Sequence, residues 1–303
     1  MKVQLARGLA VFRTLLLIAA LLSVPIVGAP AWAAGERLPV WKVTGQQAEA
    51  VLLGSIHMAY PEIYPLRDEI LTAFAAADTL VVEVDISGDK SLEVQQMMME
   101  KGMLAPGDSL QQHLSPQTRE RLHRYLDSRG LRPAMFNTLH PGLLVTVLSS
   151  MRMVELGLRP ELGIDQYFLN LARGEKTIVE LETAEQQIDL LLSFPDNDLL
   201  LAQTLAELEA IELHLDPLYE AWRSGDAVAL DSLIATDELR RNPQFRPIYH
   251  QMFGQRNLQM AAKIARLLDT SGRYFVVVGA GHLVGESSII SLLKRTGYQV
   301  QRF

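Results

Sequence analysis

Between residues 50 and 85 the chain runs from strand to turn to helix to strand, and this order constrains the fold more than any other feature. Ala50 to Leu53 reads as a strand running into Gly54-Ser55-Ile56-His57. Leu66 to Ala77 then carries Leu66, Ile70, Leu71 and Phe74 at helical spacing, and Thr79-Leu80-Val81-Val82-Glu83-Val84 is a run of β-formers ending at Asp85. Strands joined by a helical crossover lie parallel, and parallel strands need helices over the sheet. The expectation is an α/β fold with a central, largely parallel or mixed sheet and helices on its faces.

The remaining pattern says where the other strands come from. Leu38 to Val43, followed by the polar Thr44-Gly45-Gln46-Gln47, makes an opening hairpin with the strand after it. From about 91 to 174 the pattern turns helical, with Leu110, Leu114, Leu122, Tyr125 and Leu126 in apolar stripes and breaks at Pro106-Gly107, Gly130 and Pro141-Gly142. This stretch reads as a large helical insertion. A strand returns at Lys176 to Leu181, helices continue to about Asp269, and a strand at Arg273 to Val278 leads into Gly279-Ala280-Gly281-His282. A helix near Ile289 to Arg295 and a last strand near Tyr298 to Arg302 close the chain, so the sheet is drawn from both ends.

The first residues belong to another class. Lys2, Arg7 and Arg13 precede the apolar run Thr14 to Gly28, and Ala31-Trp32-Ala33 has the small-x-small form of a cleavage site. Residues 1–33 read as a secretory signal cleaved near Ala33, leaving 34–303 as the functional domain, exported to the periplasm or outside the cell. The competing reading is an uncleaved N-terminal anchor, although Pro25 and Gly28 interrupt the run. Without those 33 residues the chain holds 25 Lys and Arg against 35 Asp and Glu, a formal charge of −10. That balance argues against nucleic acid and anionic lipid as partners. With 303 residues, 49% hydrophobic and 21% charged, the chain can bury a full core without staples, and the absence of cysteine removes disulfide and thiolate chemistry.

Two segments resemble each other: Val51-Leu52-Leu53-Gly54-Ser55-Ile56-His57 and Val276-Val277-Val278-Gly279-Ala280-Gly281-His282. Each is an apolar strand, a glycine, two residues and a histidine. Glycine permits a sharp reversal at the carboxyl end of a strand and aims the imidazole into the crevice where α/β folds place ligands. Glu83, at the end of another buried strand, adds a carboxylate on the same edge. Two histidines and a carboxylate suffice to hold a divalent metal with an open position; they equally suit a metal-free acid/base site. A single histidine after a glycine turn is commonly a capping or hydrogen-bonded residue, so the repetition of the whole unit carries the inference.

Gly54-Ser55-Ile56-His57, Tyr64-Pro65-Leu66, Leu80 to Asp85, Gly163-Ile164-Asp165, Leu181-Glu182-Thr183 with Glu185-Gln186-Gln187, Arg256-Asn257, and Val278 to Gly285 together resemble the TraB/GumN family in order and spacing. The resemblance implies a fold related to the erythromycin-esterase and ChaN-like α/β group, and a relation to the Tiki proteins, metal-dependent proteases of the Gly-x-x-His type. It places His57, Glu83 and His282 in the metal or catalytic set, with Glu83 as ligand or base. Arg256 and Asn257 match the family's polar pair, and Glu182 matches a further acidic position. A fixed Arg256 guanidinium suits clamping a substrate carboxylate or oxyanion, or else forms a surface salt bridge; Glu182 competes with a helix-capping role near Thr183.

The function expected on these grounds is an exported hydrolase dependent on a divalent metal such as Mn, Co or Zn, cleaving a peptide or protein substrate. Its competitors are a non-catalytic protein binding a peptide or haem in the same crevice, and an idle scaffold. Met97-Met98-Met99 points three ways round a helix and reads as packing. His113, His123, His140, His214 and His250 lack the glycine context and read as structural or surface residues.

Overall fold

The computed structural model describes residues 37–234 and 245–303. Residues 1–33, expected to be a secretory signal, lie outside the described residues. Six strands form one mixed sheet: β1 (Val40–Thr44), β2 (Ala48–Ser55), β3 (Thr79–Val82), β4 (Thr177–Glu180), β5 (Gly272–Gly279) and β6 (Gln299–Arg302), in the order β4-β3-β5-β2-β1-β6. The four strands from β4 to β2 run parallel. The hairpin strand β1 is antiparallel to β2 and to β6. A hairpin of two or three polar residues can only reverse the chain, so β1 adds an antiparallel margin to a parallel core.

Helix α1 (Asp68–Ala76) makes the crossover from β2 to β3, as its apolar spacing requires. Phe74 of α1, Phe168 of α5 (Ile164–Ala172) and Phe275 of β5 stack with ring centroids 4.8 to 5.5 Å apart, binding both helices to the middle of the sheet. Between β3 and β4 the chain forms α2 (Asp89–Gly102), α3 (Pro116–Asp127), α4 (Pro141–Glu155) and α5, linked by short 3-10 turns. Helices α6 (Ala184–Leu192), α7 (Asn197–Ala210), α8 (Leu215–Arg223) and α9 (Ala227–Ile234) follow β4. Arg246–Tyr249 and a π turn at His250–Gly254 lead into α10 (Gln255–Leu268), and α11 (Ile289–Arg295) precedes β6. Among the described residues no helix is long and apolar enough to cross a membrane.

The end of β3 differs from the sequence pattern. β3 stops at Val82, which puts Glu83 at a strand end rather than inside it; the Glu83 backbone carbonyl still accepts the Glu182 N–H at 2.8 Å, and its side chain reaches the Gly279 N–H at the end of β5. The methionine triplet divides as its helical phase requires: Met98 is buried and Met99 is exposed. His140 accepts the Gly142 N–H as the cap of α4, and His113 pairs with Asp108 at 2.8 Å.

Gly54 sits where β2, the chain before β1 and the second glycine turn meet. A Cβ there would lie 2.8 Å from Pro39 Cγ and 3.0 Å from Ala280 Cα. Gly54→Ala is expected to destabilise the fold by about 1–3 kcal/mol through overpacking, read as a lower urea midpoint at unchanged m.

Candidate functional site

The carboxyl ends of β4, β3, β5 and β2 share one edge of the sheet, and each strand delivers a polar residue just past its end. Glu182 follows β4, Glu83 follows β3, His282 follows β5 and His57 follows β2. Val82 pairs with both Glu180 and Val277, and Ser55 with Gly279, so the four turns begin within a residue or two of one level.

Glu83 is buried and fully engaged. Its Oε1 accepts the Gly279 N–H at 2.7 Å, and its Oε2 accepts from Arg256 Nη2 at 2.8 Å and Gln187 Nε2 at 3.0 Å. Arg256, from α10, also donates Nε and Nη2 to the Glu182 carboxylate at 2.6 to 3.0 Å, and Nη1 to the Met252 carbonyl at 3.2 Å. Arg256 is therefore no surface salt bridge: it is 7% exposed, and its Nε, Nη1 and Nη2 all donate to groups inside the protein. Glu182 does not cap a helix either. Thr183 and Gln186 cap α6 with a reciprocal capping box, which leaves the Glu182 carboxylate free for Arg256.

The two motif histidines occupy unlike settings. His282 is buried against Phe253 with Nδ1 2.6 Å from Asn257 Oδ1. Asn257 Nδ2 donates to the Ser287 carbonyl at 2.9 Å, which fixes the amide with its oxygen toward the imidazole. His282 therefore carries its proton on Nδ1, and its Nε2 lone pair faces Glu83 Oε1, 3.7 Å away. Burial pushes the ring down to about 4, so it is neutral at pH 7. His57 Nδ1 lies 2.8 Å from Asp165 Oδ2, and Ser55 Oγ donates to Asp165 Oδ1 at 2.6 Å. Burial alone would lower His57, but the charge and hydrogen bond of Asp165, helped by the charge of Glu83, outweigh it and raise the ring above its ordinary value. Burial likewise opposes ionisation of Glu83, yet the neighbouring His282, the Arg256 guanidinium, His57 and the Gly279 N–H together hold its carboxyl down at about 2.

Asp165 and Gln187 stand in motifs visible in the sequence, but nothing in spacing marks them as members of the site. Asp165 reaches His57 because the Ile164 N–H bonds the Ile56 carbonyl at 3.0 Å, and Gly163 lies so close that a Cβ would fall 2.2 Å from the His57 carbonyl oxygen. Ser55, Asp165 and His57 are not a nucleophilic triad. The carboxylate stands between the other two, so the Ser55 hydroxyl donates to Asp165 and no base acts on its oxygen.

The donor chemistry fits a divalent cation. Each histidine uses Nδ1 for a fixed acceptor and keeps Nε2 as the lone pair, the arrangement by which outer residues orient metal ligands. The His282–Glu83 separation of 3.7 Å is close to the roughly 3.3–3.5 Å between two ligands of a tetrahedral ion. Within the hydrogen-bonded network Glu83, Glu182 and Asp165 face only Arg256 and His57, which leaves negative charge for a cation to balance even with His57 protonated. Among the described residues, however, no group of three His, Cys, Asp or Glu side chains is gathered closely enough to hold an ion. What the structure assembles is the His282–Glu83 pair, with His57 near enough to feel the charge of both.

The mixed α/β sheet thus carries two glycine–histidine turns and an arginine-bound carboxylate pair on one strand edge. The model of the TraB/PrgY/gumN family matches residues 39–302, and the chain belongs to that family. It is 31% identical over 245 residues to "Uncharacterized protein YbaP" of Escherichia coli (strain K12), covering 80% of this chain and 87% of the relative. It is 22% identical over 307 residues to the "Metalloprotease TIKI homolog" of Nematostella vectensis, covering 83% of this chain and 64% of the relative. With "Metalloprotease TIKI1" of Danio rerio it shares 23% identity over 302 residues, covering 82% and 60%. The chain thus spans less than two thirds of the length of these two TIKI proteins. No solved structure matches the chain.

Removing the guanidinium strands two buried carboxylates. Arg256→Met is expected to cost about 3–5 kcal/mol at neutral pH. A carboxyl held at about 2 contributes stability above its unfolded value near 4.5 and loses it as pH falls toward 2. The gap between wild type and Arg256→Met therefore narrows on acidification, measured by urea unfolding at pH 7 and pH 4.

Proposed function

We propose that this protein is an exported hydrolase dependent on a divalent metal, cleaving peptide bonds at the edge where the two Gly-x-x-His turns meet. The observation that carries the reading is the pairing of neutral His282 with ionised Glu83, both fixed from behind, inside a network that retains negative charge. The printed names of the TIKI relatives support a protease. The basic, apolar start of the chain supports export.

His282 Nε2 and Glu83 Oε1 would hold the ion, with His57 Nε2 completing the set. When bound, a divalent ion supplies Lewis acidity toward water and toward a carbonyl oxygen. The chain's own residues supply the rest. Asn257 and Asp165 keep the two imidazoles in the tautomer that exposes Nε2. Arg256 and the Gly279 N–H keep Glu83 ionised, which suits a ligand better than a general base, whose pKa should lie near the working pH. In the overall reaction water adds to the amide carbonyl and the carbon–nitrogen bond breaks, giving a carboxylate and an amine.

The test is metal content of the purified protein by elemental analysis after exposure to Mn, Co or Zn, beside a His57→Ala, His282→Ala double variant. Near-stoichiometric metal in the wild type, lost in the variant and accompanied by chelator-sensitive peptide cleavage, is the expected result. No metal in either protein would defeat the reading, and a haem absorbance lost in the variant would replace it with ligand binding.

Asp165→Asn leaves a side chain of the same shape but removes the carboxylate charge that orients and polarises His57. It is expected to weaken metal affinity about 10–100-fold, read by competition with a chromogenic chelator, while the urea midpoint moves far less than in Arg256→Met.

A further inference from the structure

A cavity of about 40 Å³ opens beside the site, and both glycine–histidine turns contribute to its wall. Ile56 and His57 come from the first turn and Ala280 from the second, while Met58, Leu218 and Trp222 help to close it. Among the described residues its lining holds no Asp, Glu, Lys or Arg. The indole Nε1 of Trp222 already donates to the Gly54 carbonyl at 2.8 Å, so that ring offers the cavity only its carbon face. Apart from His57 and the hydroxyl-bearing Tyr219 the lining is apolar; protein interiors close-pack, and a largely apolar space of this size stays poorly hydrated, which favours an apolar occupant. A charged side chain entering it would lose its water and meet no opposite charge except the His57 imidazole, itself engaged with Asp165.

We propose that this cavity is the side-chain specificity pocket of the hydrolase, selecting a small aliphatic residue next to the bond that is cut. The assignment rests on the proposed peptidase function and adds the class of substrate to it. The space admits an alanine- or valine-sized side chain and is too small for an aromatic ring. Leu218 on α8 and Met58 after β2 are among the side chains that bound it.

Two measurements separate the pocket from the chemistry. The first is the cleavage profile of the metal-loaded protein on a peptide library randomised at the positions flanking the bond, read by mass spectrometry. The expected profile favours Ala and Val over Gly, Phe, Lys and Asp at one position, by about tenfold or more per misfit. Leu218→Ala shifts that preference toward Leu and Met without changing the other positions. The second measurement needs no turnover. In a Trp32→Phe, Trp41→Phe variant the remaining tryptophan is Trp222, on the pocket wall, and its emission reports binding of short blocked peptides that differ in one side chain. Emission that responds to the Ala and Val peptides and not to the Gly or Lys peptides supports the pocket, even if nothing is cleaved; that outcome would sink the peptidase and leave the pocket standing. Cleavage with no aliphatic preference, or with a profile that Leu218→Ala leaves unchanged, overturns the pocket and spares the peptidase. Absence of both cleavage and a side-chain-dependent Trp222 response overturns the pocket as well.

Discussion

The guanidinium of Arg256, buried between Glu83 and Glu182, is the interaction on which the site depends. Two carboxylates at the ends of adjacent strands would repel each other in a low-dielectric interior, and one would take up a proton. A single planar cation that bonds both keeps them ionised and close. It also ties α10 to the ends of β3 and β4, so the helix that carries Asn257, and through it His282, is positioned by the same contact. The consequence for function is a division of labour. Arg256 is consumed in holding the carboxylates, and the negative charge left over faces the two imidazoles.

Two copies of one short motif are made chemically different by what stands behind them. Asp165 behind His57 is anionic and raises the ring; Asn257 behind His282 is neutral, and burial then dominates and lowers it. Both partners nonetheless fix the Nδ1–H tautomer, so both rings present Nε2. The geometry of the motif repeats while the proton affinity does not.

Much of this was legible in the chain. The apolar runs at 50–53, 79–84 and 276–278, with a single amphipathic crossover between the first two, sufficed for a parallel core, because only a covered sheet buries such strands on both faces. The glycine turns marked His57 and His282, and a carboxylate ending an apolar run marked Glu83. Arg256, Asn257 and Glu182 came only with the family resemblance, and their roles did not come with it. A substrate clamp was a reasonable use for Arg256, since nothing in Gln255-Arg256-Asn257 shows that its partners lie 74 and 173 positions away. Asp165 and Gln187 lay in motifs that carried the resemblance, but nothing local marked them as members of the site: an Asp in the first turn of a helix normally serves that helix, and a Gln one turn into α6 looks like surface.

Local sequence by itself determined which segments are strands, that they need helices over them, and where two imidazoles leave the backbone, because periodicity and glycine conformations act over a few residues. Tertiary structure decided which carboxylate is bound to which cation, that β5 lies between β3 and β2, and that a largely apolar cavity borders the two turns. Those outcomes depend on strand order and on side chains more than a hundred positions apart in some pairs, and the desolvation that sets their charges exists only once the whole sheet edge is assembled.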